Sequence, residues 1–146
     1  MTIVQVLKIQ HGVFRGQLIY LEEFKKTASS ATDMAGVRQI IFCITDALRK
    51  HSKVEEKHLF PALRPYLGET MCTAAVVEFE YAEILKIVST LGKTNDTDAT
   101  LLESSKFITY LRDHFAKEEC VLFPLAEKKL THKRLEALAA KAGLLK

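Results

Sequence analysis

The 146-residue sequence has no tryptophan and only three prolines and three cysteines. Proline stands at 61, 65 and 124, each time just behind a long apolar-periodic run, so the rest of the chain is free to stay helical. Cys43, Cys72 and Cys120 are odd in number and far apart, with no C-x2-C pair among them. That argues against a disulfide framework and a thiolate zinc site; it fits reduced thiols in a cytoplasmic protein, read here as small buried hydrophobes. Long apolar runs are also missing. No segment approaches the ~18 residues of a membrane-spanning helix. The start, MTIVQVLKIQHG, lacks the basic residues, apolar stretch and cleavage site of a secretory leader, and none is predicted. Charge of one sign is scarce as well. A net charge of +3 with interspersed acids and bases is too mild and mixed for nucleic acid or an anionic membrane to be the main partner. The basic group Lys128, Lys129, Lys133 and Arg134 reads as a solvated helix face.

What remains is an ordinary globular composition, 48% apolar and 27% charged, at a length suited to one domain spanning residues 1–146. Its periodicity is helical nearly throughout, with no alternating β-branched run to compete. Helices are predicted over about 3–28, 33–64, 69–92 and 98–127, with a short extra C-terminal helix at about 131–142 that stops at Gly143. The second opens after the cap-forming stretch Ser29–Asp33, and the loop Gly92–Asp98 separates the third from the fourth. The expected fold is all-α: an up-down-up-down antiparallel four-helix bundle over about 3–127.

Each predicted helix carries a 3-4 seam. The first has Val4, Leu7, His11, Phe14, Leu18 and Leu21. The second has Val37, Ile41, Ile44, Leu48, His51, Glu55, His58 and Ala62. The third, less regular, has Cys72, Val76, Phe79, Glu83 and Ile87. The fourth has Leu101, Ser104, Phe107, Leu111, His114, Glu118, Val121 and Leu125. The seams are apolar until mid-helix, where His and Glu take core slots. An unpaired buried carboxylate costs several kcal/mol, so an interior holding His11, His51, Glu55, Glu83, His114 and Glu118 needs a compensating cation. Four residues separate His51 from Glu55 and His114 from Glu118, which puts each pair one turn apart on one face. Mixed imidazole and carboxylate donors suit iron or manganese better than zinc or calcium. One His–Glu pair at this spacing would more often be a solvated helix face. Here there are two: HSKVEEKHLFPAL at 51–63 and HFAKEECVLFPLA at 114–126 share H-x3-E-E-x2-L-F-P in register.

These motifs, spread over about residues 4–127, resemble the hemerythrin-like (HHE cation-binding) family. The resemblance implies a bundle around two iron ions, bridged by two carboxylates and an oxo or hydroxo species; the ligand types suit Fe/Fe and Mn/Fe alike. Carried over by motif, His11 and His51 ligate one iron and His114 the other, with Glu55 and Glu118 as bridges. Glu119 is the alternative to Glu118, because some members place the acid five residues after the histidine. The third helix departs from the family pattern. Glu78-Phe79 stands where Glu-His is usual, and Glu83 occupies the position four residues later. Glu83 is taken as the ligand there, with Glu80 and His58 as fallbacks.

The implied function is binding of, or reaction with, oxygen, peroxide or nitric oxide for storage, sensing or scavenging, with a redox partner where there is turnover. An enzyme reading makes the protein a peroxidase, catalase-like scavenger or oxidase. The rival is an iron- or oxygen-responsive regulatory module without turnover.

Overall fold

The computed structural model describes residues 1–68 and 71–144, and the side chains of all of these except residues 71–74. Among the described residues there are helices and no strand. Helix α1 (Ile3–Thr27) starts at Thr2, whose hydroxyl accepts from the Gln5 N–H while the Gln5 side chain accepts from the Thr2 N–H. Ser30 and Asp33 make the same reciprocal cap for α2 (Ala31–Val54), within the stretch singled out from the sequence. A π-turn (Glu55–Leu59), the short α3 (Phe60–Leu63) and a 3-10 turn (Arg64–Tyr66) follow α2. Helix α4 (Met71–Leu91) precedes α5 (Thr97–Lys117), which Asp96 caps through the Ala99 N–H at 2.8 Å. A second π-turn (Glu118–Leu122), α6 (Phe123–Lys129) and α7 (His132–Lys141) complete the order. Helix α7 ends at Gly143, where φ is +73° and a side chain would be strained.

The two π-turns have one cause. Pro61 and Pro124 have no N–H, and their rings crowd the carbonyl four residues back. Just before each proline the hydrogen bond lengthens by one residue: the Phe60 N–H donates to the Glu55 carbonyl and the Phe123 N–H to the Glu118 carbonyl. Each wider turn delays the buried seam by one position. Beyond Glu55 the core is taken up by Leu59 rather than His58, and beyond Glu118 by Leu122 and Ala126 rather than Val121 and Leu125. These are corrections to the expected seams. The prolines neither end the rods nor leave their phase intact.

Helix α1 packs on α2 and α5, α4 packs on α5 and α2, and α7 lies against α1. Polar links tie the rods at their edges, among them Arg38 to Thr100 and Lys25 to Ser105. Gly36 faces Phe24 so closely that an added Cβ would stand 2.9 Å from the ring. Gly12 and Gly16 have nothing near an added Cβ, so neither marks a close approach of helices.

Buried apolar side chains form two separate clusters. One gathers Phe14, Leu18, Ile41, Leu48, Ile84, Leu111 and Phe115 with their neighbours. The other gathers Val4, Leu7, Leu59, Leu63, Leu122 and Phe123 with Leu135 and Ala139 of α7. The seams of α1, α2 and α5 run from one cluster to the other, and the polar residues of the seams lie between.

Candidate metal centre

Three histidines and two glutamates are buried at the junction: His11, His51, Glu55, His114 and Glu118, none more than 3% exposed. Helix α1 contributes His11 and α2 contributes His51. Glu55 and Glu118 each open a π-turn, and His114 lies one turn before Glu118 at the end of α5. Ligand-capable atoms of His11, His51, Glu55 and Glu118 all lie within 4.8 Å of one another. The Nε2 atoms of His11 and His51 are 3.2 Å apart, and His51 Nε2 is 3.3 Å from Glu55 Oε1. Glu118 Oε1 faces two imidazoles at once, 3.4 Å from His11 Nε2 and 3.5 Å from His114 Nε2. This one oxygen couples His114 to the other four residues.

The outer nitrogens are treated unequally. His51 Nδ1 lies 2.7 Å from Gln10 Oε1, an acceptor that keeps the ring proton on Nδ1 and turns the Nε2 lone pair inward. His11 Nδ1 is 3.3 Å from Glu119 Oε2, and the Arg15 guanidinium forks onto both oxygens of that carboxylate. The His11–Glu119 contact falls outside hydrogen-bond alignment, and His114 Nδ1 is buried with no hydrogen-bond partner and no ion pair among the described residues. Rings of Phe14, Phe115 and Phe123 wall the histidines, with the Phe115 ring centre 4.0 Å from that of His11.

Burial sets the protonation of this interior. The His51 imidazole is pushed down to about 3, chiefly by burial and then by the nearby His11 and His114 charges. Burial likewise brings His114 to about 4, helped by His11 and Lys117. Burial pushes the Glu118 carboxyl up against the opposing pull of His11. Glu119 behaves oppositely, because its bond to Arg15 outweighs burial and holds it below the usual carboxylate range. Near neutral pH the His51 and His114 imidazoles are therefore neutral, with lone pairs free for a cation.

Unpartnered atoms test whether a metal fits. Glu55 Oε2, both oxygens of Glu118, His114 Nδ1 and His11 Nδ1 are buried without a hydrogen-bond partner. Buried polar atoms are normally satisfied, and five at one junction call for an ion among them. The hard oxygen and borderline nitrogen donors match a divalent or trivalent transition metal.

The α4 side differs from the expectation. Glu83 is half-buried and paired with Lys86 at 2.8 Å, outside the cluster. Phe79 is 64% exposed and Val76 is exposed, whereas Val77, Ile84, Ile87, Val88 and Leu91 are buried. The buried face of α4 is thus rotated from the one on which Glu83 was placed. The expected seam position at Cys72 lies outside the described side chains. Glu80 pairs with Lys117, and one of its oxygens is buried without a partner. His58 is half-buried within the first π-turn. Among the described residues α4 supplies no member of the cluster. Its Val77 and Tyr81 instead line a cavity of about 10 Å³ beside Ser52, Glu55 and His114, about the least that admits one water. Sequence reasoning missed Arg15, Gln10 and Tyr81. The one available signal was that Arg15 lies one turn beyond His11.

Outside the centre, Tyr110 and His132 are exposed. Cys43 and Cys120 are exposed free thiols, which corrects their reading as buried hydrophobes. No helix among the described residues is long and apolar enough to cross a membrane.

The family model described as the hemerythrin HHE cation binding domain matches residues 2–126. A solved structure of a hemerythrin HHE cation binding domain-containing protein from Mycobacterium kansasii superposes with a TM-score of 0.73 at 23% identity, covering 99% of this chain and 84% of that one. At that identity the likeness shows the fold alone. No curated protein matches the chain.

Proposed function

This chain belongs to the hemerythrin HHE cation-binding domain family, and from that premise we propose that it is a cytoplasmic diiron protein that binds or reacts with oxygen, peroxide or nitric oxide. The observation that carries the reading is the buried set His11, His51, Glu55 and Glu118, with His114 attached through the shared Glu118 oxygen. His11 and His51 would hold one ion and His114 the other, with Glu55 and Glu118 as the carboxylates shared by the two positions. Glu83 is left out of this ligand set. The free oxygens of Glu55 and Glu118 support two positions better than one, because a single ion would leave His114 stranded.

Iron, or a manganese–iron pair, supplies one- and two-electron chemistry toward the small ligand. The chain's own residues do the rest. Gln10 orients His51, the phenylalanine rings exclude water, and the small cavity at Ser52, Tyr81 and His114 limits the ligand to a few atoms. An arrangement with all four rods in up-down-up-down order, forming one domain over 1–146, belongs to the same reading. It is supported by the packing of α1 on α2 and α5 and of α4 on the other two sides. Exposed unpaired thiols at Cys43 and Cys120 favour a reducing compartment.

The test is metal content by mass spectrometry on protein purified without added metal, with an absorption spectrum in air. About two metal ions per chain and near-ultraviolet oxo-to-iron bands are expected. No bound metal after reconstitution would sink the reading. Peroxide turnover then separates a scavenger from a sensor, which should show little.

A further inference from the structure

One charged pair touches the centre without entering it. Arg15 lies one helical turn after His11, and Glu119 follows Glu118 in the second π-turn. The guanidinium donates to both carboxylate oxygens, Nη1 to Oε1 at 3.0 Å and Nη2 to Oε2. Arg15 also sits over the Phe115 ring, 5.9 Å from its centre. The clamped Oε2 is then 3.3 Å from His11 Nδ1, a close charged neighbour that falls outside hydrogen-bond alignment, while His11 Nε2 faces Glu118 and His51.

We propose that Arg15 and Glu119 form a positioning device, which keeps the His11 proton on Nδ1 and holds Glu119 itself out of the ligand set. This rests on the metal-binding reading above for its consequence, but not for its geometry. A neutral imidazole can carry its proton on either nitrogen, and only the Nδ1–H form offers Nε2 to an ion. A carboxylate beside Nδ1 selects that form and raises the basicity of Nε2. Arg15 is needed because two adjacent acids, Glu118 and Glu119, compete for the same interior. The planar fork offers Glu119 two charge-assisted bonds at the edge, and lysine could not match that geometry. The choice between Glu118 and Glu119 as ligand is therefore made by a residue on another helix. The first copy of the repeat has Glu56 at the equivalent place, exposed and with no ion pair among the described residues.

Ring nitrogen–proton correlation spectra of the metal-free protein, followed by anaerobic iron(II) titration against a chromogenic chelator, test this. The wild type should show His11 protonated at Nδ1. Glu119→Ala should shift the proton toward Nε2 and weaken iron(II) binding about 10- to 100-fold. Glu119→Gln retains an acceptor, so it should hold the Nδ1–H form and lose less affinity; it also serves if the alanine variant does not fold. Arg15→Met should fall between these two. An unmoved His11 proton in Glu119→Ala would overturn the proposal. So would an equal loss of affinity in Gln and Ala with the proton unmoved, which would make Glu119 a ligand. If the wild type binds no iron(II), the diiron reading fails, while the metal-free spectra still decide the positioning role.

Discussion

The two copies of H-x3-E-E-x2-L-F-P begin alike and end up in unlike surroundings. His51 in the first copy has Gln10 on its outer nitrogen, and its Nε2 lies within the tight four-residue cluster. His114 in the second has no partner on Nδ1 and reaches the others only through Glu118. The acid that follows the buried glutamate is solvent-facing in the first copy (Glu56) and clamped by Arg15 in the second (Glu119). A repeat in sequence thus produces a centre with one braced side and one open side. Neighbouring helices α1 and α4 make the difference. Helix α1 brings His11, Gln10 and Arg15, whereas α4 brings Val77, Tyr81 and a small cavity.

The comparison can be broken most sharply by removing one histidine from each copy. His51→Ala should lower affinity for the first ion by more than about 100-fold, since a ligand is lost together with its orienting partner. His114→Ala should leave that ion in place and empty the other position. Mass-spectrometric metal counts after dialysis against a chelator would tell these apart. Equal losses from the two variants would mean that the sides do not differ.

Metal removal should come next in size. At a free-ion concentration about 1,000-fold above Kd, bound metal adds about 4 kcal/mol to stability, which for a chain of this size is roughly 10 °C in Tm. Calorimetry with and without chelator measures it. A metal-free structural bundle would show no change, and in it His11→Ala would leave stability unchanged or improved.

The pH dependence sharpens the comparison further. His51 and His114 are depressed to about 3 and about 4 from the ordinary histidine value of 6.5, so the unfolded chain binds more protons than the folded one between those limits. Stability of the metal-free protein should therefore rise with pH across that window and be lost on acidification below 6.5. Glu118 has the opposite sign. Its raised carboxyl keeps a proton in the fold, so its contribution is lost as pH climbs through the raised value. Glu118→Gln should make the metal-free protein more stable at pH 8 and the metal-loaded protein less so, as urea midpoints would report. The smallest effect is expected at Gln10→Ala, about 10-fold in affinity for the ion on the braced side, read by chelator competition.

Much of this was legible in the chain. The seams of α1, α2 and α5 are strict enough that His11, His51, Glu55, His114 and Glu118 stand out as polar residues in apolar register, and all five are buried. Helix α4 could not be phased the same way. Val76, Val77, Ile84, Leu85, Ile87 and Val88 put apolar groups on several faces, so a seam through Glu83 and a seam through Ile84 fit almost equally well. Tertiary packing chose the second. The π-turns were half visible. Proline announces a break, but whether a rod stops or absorbs one extra residue depends on what lies beyond, here the apolar cluster under α7. The clamp on Glu119 was out of reach, because it joins residues 104 positions apart.

The division of the apolar interior into two clusters bears on cooperativity. Each cluster is anchored at the junction by an aromatic ring on His11, Phe115 from one and Phe123 from the other. Few other interior contacts need bind the two ends energetically when the polar layer between them is empty. Amide exchange in the chelated protein would then reveal two sub-global openings with separate free energies, one at each end of the rods. A metal ion held by residues from α1, α2 and α5 would fuse them into a single unfolding unit. The ion would act here as the coupling between two otherwise independent folding units.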